Sequence, residues 1–108
     1  MISATDQAIQ KTIEVLNTPH KFRQWLNSVP TDTIVGENWS CDSCPIVNFL
    51  VAATGYEQTE ITEVFVCLGA QQFLLPKWAI QFIEKIDSLP SNGHLTAEYC
   101  LQVLEKIN

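Results

Sequence analysis

Between Pro45 and Thr54 the chain reads Pro-Ile-Val-Asn-Phe-Leu-Val-Ala-Ala-Thr, apolar nearly all round, and Gly55 follows. A helix with apolar side chains on every side has no face to offer water, so it belongs at the centre of a fold. Pro45 suits the first helical position, and Gly55 suits the left-handed residue just past the last turn. In a chain of 108 residues, an ordinary size for one domain, everything else has to wrap this segment.

The flanking segments are patterned to do so. Ala8, Ile9, Ile13 and Leu16 recur at helical spacing and predict a first amphipathic helix from about Thr5 to Asn17, with Ser3 or Thr5 as its N-cap. Thr18-Pro19 restarts the chain into a second helix, whose apolar stripe is Phe22, Trp25, Leu26 and Val29. Pro76 opens a further helix carrying Trp78, Ala79, Phe82, Ile83 and Ile86, and it ends near Leu89-Pro90. After the turn at Ser91-Asn92-Gly93, Thr96 caps a last helix with Leu95 placed to pack on Cys100. Glu60 to Leu68, dense in β-branched and aromatic residues, reads as one strand, and Gln71 to Leu75 returns as a second. The expected fold is one domain over residues 1–108, mainly α with about five helices and a small two-stranded β element, at the border of α+β.

Charge narrows the partners. Asp and Glu number 12 against 6 Lys and Arg, a net charge of −6, and acidic side chains outnumber basic ones in both halves. Nucleic-acid binding needs cations to neutralise phosphates, and anionic membranes need them too, so neither partner fits. No stretch approaches the roughly 18 apolar residues of a membrane span. The opening Met-Ile-Ser-Ala-Thr-Asp-Gln has no basic region leading into an apolar one, so a cytoplasmic location is expected. Cys41, Cys44, Cys67 and Cys100 are then thiols.

Residues 30–44 are rich in turn formers and predict a loop, with a short extended piece at Ile34-Val35. Within it, Cys41-Asp-Ser-Cys44-Pro45 admits three readings. Two thiols at a helix start gain from exposed backbone N–H groups, which lower a thiol pKa, so the pair suits thiol–disulfide exchange. The same spacing suits half of a zinc site, with Cys67, Cys100, His20 and His94 as the only further His or Cys. The third reading is structural: Cys44 or Ser43 at the cap, Pro45 at the first turn, Asp42 near the positive helix end. A lone Cys-x-x-Cys without a strand before it favours this last reading.

Elsewhere catalytic signatures are missing. His20 and His94 sit at a helix start and after a turn glycine, as surface residues do, and Gly36, Gly55, Gly69 and Gly93 are too scattered to make a phosphate loop. No cofactor is implied. Glu57, Glu60 and Glu63 read as a solvated strand edge. Trp25 and Trp78 fall on apolar stripes, whereas Trp39 lies in the loop as a candidate docking anchor, with Asn38 and Asp42 beside it.

Phe22-x-x-Trp25-Leu26, Val35-Gly36, Cys44-Pro45-Ile46-Val47-x-x-Leu50, Leu75-Pro76-x-Trp78-Ala79-x-x-Phe82-x-x-x-Ile86-Asp87 and Leu95-Thr96-Ala97 span most of the chain. Taken together they resemble a set of short bacterial and phage proteins without an assigned activity, which implies a compact fold and no chemistry. The expected function is a non-enzymatic protein-interaction module, binding a protein partner or a second copy of itself. A thiol redox protein using Cys41 and Cys44, or a small structural zinc protein, are the alternatives.

Overall fold

In the computed structural model, which describes residues 4–62 and 64–107, the helix at the centre is α3 (Pro45–Thr54). Pro45, Ile46, Val47, Phe49 and Leu50 are buried along it, and Gly55 ends it at φ 73°, where a side chain would be strained. Around it run α1 (Ala4–Leu16), α2 (His20–Asn27), α4 (Lys77–Asp87) and α5 (Ala97–Glu105). Thr96 caps α5 as its position suggested, its hydroxyl accepting the Tyr99 N–H. The Ser3 cap candidate lies outside the described residues, and Thr5 falls within α1 instead of preceding it.

The strands require a correction. Among the described residues there are five, in two antiparallel sheets: β1 (Ile34–Glu37) with β5 (His94–Thr96), and a meander of β2 (Thr59–Thr62), β3 (Phe65–Leu68) and β4 (Gln71–Leu74). The five helices stand, but the fold is α+β, not mainly α with one small two-stranded element. Two causes account for the difference. The segment read as a single strand from Glu60 folds back on itself, with Thr62 opposite Phe65, across residues that include neither Gly nor Pro. The second sheet joins Ile34 to Thr96 and Glu37 to His94, partners far apart in sequence, so no local pattern specifies it.

Packing converges on Phe22, fully buried, whose ring meets Trp25, Phe49, Trp78 and Phe82 at centroid distances of 5.1–6.0 Å. The Phe82 ring stands edge-on, a favoured arrangement for aromatic quadrupoles. Trp78 donates its indole N–H to the Leu16 carbonyl at 2.7 Å, satisfying an acceptor that the end of α1 leaves open. Truncating Phe22 to Ala should cost about 3–5 kcal/mol, because four rings lose their common neighbour.

Gly36 fixes how β1 meets α3. A Cβ there would lie 2.6 Å from the Pro45 nitrogen and 2.7 Å from the Ser43 carbonyl oxygen, so only glycine lets the strand lie against the helix start. Asn48, one turn into α3, clamps the same junction by donating to the Val35 and Ser43 carbonyls at 2.8 and 3.3 Å.

Candidate functional site

The junction defines a loop. The Glu37 N–H donates to the Ser43 carbonyl at 2.9 Å, so residues 38–42 form a loop with a closed neck. Inside the loop Ser40 Oγ accepts the Ser43 N–H at 3.0 Å and lies 3.1 Å from Asp42 Oδ1, a local turn of the kind short hydroxyl side chains build. The Cys41 carbonyl accepts the Ile61 N–H at 2.7 Å, pinning the loop to the outer edge of β2.

Asn38 lies beneath the surface. It is fully buried, donating through Nδ2 to the Ile86 and Ser91 carbonyls at 3.1 and 3.0 Å and accepting the Gly93 N–H on Oδ1 at 2.8 Å. Its own carbonyl accepts from the Asn92 side chain. One amide thus ties the loop to the end of α4 and to the turn before β5, and it offers nothing to a partner. A polar residue in a polar loop gives no sequence signal that it is the buried one.

Trp39, next to it, is 51% exposed, and it is the one non-glycine residue with positive φ among the described residues, at 57°. Left-handed backbone costs a residue with a Cβ about 1–2 kcal/mol. Two hydrogen bonds oppose that cost: the Trp39 N–H donates to Asp87 Oδ1 at 2.9 Å, and the indole N–H donates to the Asp87 carbonyl at 2.8 Å. The ring stands at the rim of a cavity of about 220 Å³ that includes Cys41, Ile61, Thr62, Ile83 and Asp87 in its wall. Asp42 is exposed on the same loop.

The thiols are placed unequally. Cys41 is exposed, while Cys44 is buried at the N-cap position of α3. Burial pushes the Cys44 thiol up from 9.0 to about 11, even though the Val47 and Ile46 N–H groups at the helix start pull the other way; the charges of Asp87 and Cys41 add to the rise. The expected lowering by the helix terminus is therefore real but overruled by desolvation. Cys44 is a poor thiolate. Cys100, in the core, is pushed up to about 12 by burial and then by the charge of Cys44, and Cys67 is half-buried on β3.

Among the described residues no group of three or more His, Cys, Asp or Glu is arranged to hold a metal. His20 and His94 are exposed, His94 standing 3.4 Å from Glu37. Glu57 and Glu60 are exposed, and Glu63 lies outside the described residues. No helix among the described residues is long and apolar enough to cross a membrane. Comparison with protein families, curated proteins and solved structures finds no match to the chain.

Proposed function

We propose that this chain is a non-enzymatic protein-interaction module of the cytoplasm that docks a partner on the surface around Trp39. The observation that carries the reading is a tryptophan whose ring is half in water while its backbone N–H and its indole N–H both donate to Asp87. An exposed ring adds little to folding, and left-handed backbone subtracts from it, so the arrangement makes sense as a binding anchor built in advance. Tryptophan is also the side chain that most often dominates an interface, because it brings a large rigid area at small entropic cost.

Charge selects the partner class. The N–H edge of the indole meets the Asp87 carbonyl and the Asp87 carboxylate meets the Trp39 backbone, Asp42 lies on the same loop, and the chain carries −6 overall. An Arg or Lys of an otherwise apolar segment would stack on the ring, pair with a carboxylate and place its neighbour in the cavity against Ile61 and Ile83. The partner is therefore a protein bearing an exposed basic and apolar segment.

Peptide display panned on the native protein, with counter-selection on Trp39→Ala, tests this reading. Enriched peptides should share Arg or Lys next to a large apolar residue and should elute with salt. Enrichment of sequences without a basic residue, or of peptides that the Trp39→Ala protein retains equally, would refute it.

A further inference from the structure

The meander β2-β3-β4 has two outer edges, and they are treated differently. Ladder geometry shows which main-chain groups face outward. The Leu75 N–H bonds to the Val64 carbonyl and the Gly69 N–H to the Gln58 carbonyl, so β3 turns Val64, Val66 and Leu68 toward β4 and Phe65 and Cys67 toward β2. On β2 the outward residues are then Thr59 and Ile61, and the Ile61 N–H is capped by the Cys41 carbonyl. On β4 they are Gln72 and Leu74. Among the described residues no backbone hydrogen bond reaches either of these from outside the sheet.

An open edge is ordinarily guarded by charge, proline or a bulge. β4 has none of these. Residues 64–76 (Val-Phe-Val-Cys-Leu-Gly-Ala-Gln-Gln-Phe-Leu-Leu-Pro) carry no charged side chain in a chain of net charge −6, and proline appears only after the strand. The pairing of β3 with β4 runs in unbroken register. Leu74 is 62% exposed, and it lines an apolar cleft with Ile13, Phe73 and Pro76, in which Ile13 is exposed as well.

We infer that β4 is the docking edge for a second copy of this chain, joined antiparallel about a two-fold axis at Phe73. In that register Gln72 faces Leu74 of the other copy, and each pair exchanges both N–H and C=O groups. The two meanders become one continuous sheet. Two arguments favour a second copy over a foreign strand. Approach at this edge brings no like charges together, whereas most of the surface of an acidic chain repels its own kind. The edge is also self-complementary, which is the condition for an isologous interface. Because the loop covers the other edge at Ile61, pairing closes at two copies and does not continue into a filament. This surface is distinct from the one around Trp39, and the inference stands apart from the docking role given to it.

Sedimentation equilibrium over a range of concentrations, combined with amide hydrogen exchange, tests the inference. A monomer–dimer equilibrium is expected, with protection at the Gln72 and Leu74 amides that rises as the dimer forms. Leu74→Lys, at an exposed position that leaves the fold intact by circular dichroism, should weaken dimerisation by about tenfold or more and remove that protection. A native protein that stays monomeric with both amides in fast exchange would overturn it. So would a dimer indifferent to Leu74→Lys, or assembly that continues past two copies.

Discussion

Asp87 holds Trp39 through two different groups: its carboxylate accepts the Trp39 backbone N–H at 2.9 Å, and its carbonyl accepts the indole N–H at 2.8 Å. Both residues are exposed, so the pair is a surface latch between the loop after β1 and the last turn of α4. Asp87→Ala removes only the carboxylate contact, and it should cost about 1–2 kcal/mol. Asp87→Asn keeps a side-chain oxygen and should recover most of that loss. Urea unfolding of the two variants checks the order.

The backbone at Trp39 gives a second, sharper comparison. Glycine adopts φ of 57° without the steric cost that any Cβ incurs. Trp39→Gly and Trp39→Ala lose the same indole, so their difference reports the strain that glycine relieves, less the freedom that it adds to the unfolded chain. The glycine variant should be the more stable by about 1 kcal/mol. An alanine variant as stable as the glycine one, or more so, would mean that the left-handed conformation costs no more than the chain freedom that glycine adds.

Asn38 is the structural counterpart of Trp39. Asn38→Ala removes, at a fully buried position, the donor to the Ile86 and Ser91 carbonyls and the acceptor of the Gly93 N–H, and among the described residues only the Ile86 carbonyl keeps a backbone donor, Leu89 N–H at 3.4 Å. A loss of about 3 kcal/mol or more is expected in equilibrium unfolding. Asn38→Asp should be similarly damaging at neutral pH, because a carboxylate cannot donate to the two carbonyls and its buried charge is unpaired.

Cys44 couples stability to alkaline pH. Its thiol titrates near 11 in the native protein against 9.0 ordinarily, so the native state holds its proton more tightly than the unfolded chain does. That advantage is fully present below pH 9 and is lost as pH rises through about 11. Its size is roughly 3 kcal/mol. Urea midpoints should therefore fall more steeply over this window in the native protein than in Cys44→Ala.

Thr12 points to a gain. It is fully buried on α1, and its hydroxyl has no hydrogen-bond partner among the described residues. Thr12→Val keeps the shape and removes the stranded polar group, and it should raise stability by about 1 kcal/mol or more in the same assay.

What could be read in the sequence follows the range of the interaction that decides each element. α3 was legible because its apolar run, Pro45 and Gly55 are local signals, and Thr96 as a cap is local too. β5 was not, because His94, Leu95 and Thr96 become a strand only by pairing with Ile34–Glu37. The turn between β2 and β3 carries no glycine or proline to announce it. At the site, the exposure of Trp39 followed from its place in a turn-rich loop. The burial of Asn38 did not, since it depends on carbonyls delivered by α4 and the turn after it. For Cys44 the helix terminus was visible in sequence, but the desolvation that outweighs it is a property of the packed core.

The most direct test of the docking role is the affinity of one display-selected basic peptide for the native protein and for Trp39→Ala. The Trp39 indole N–H resonance, assigned by its loss in the variant, reports where the peptide sits. On titration this resonance should shift, and Trp39→Ala should weaken binding by about 30-fold or more, as truncation of a central aromatic anchor does. Equal affinity for the two proteins, or an indole resonance unmoved at saturation, would contradict the docking role.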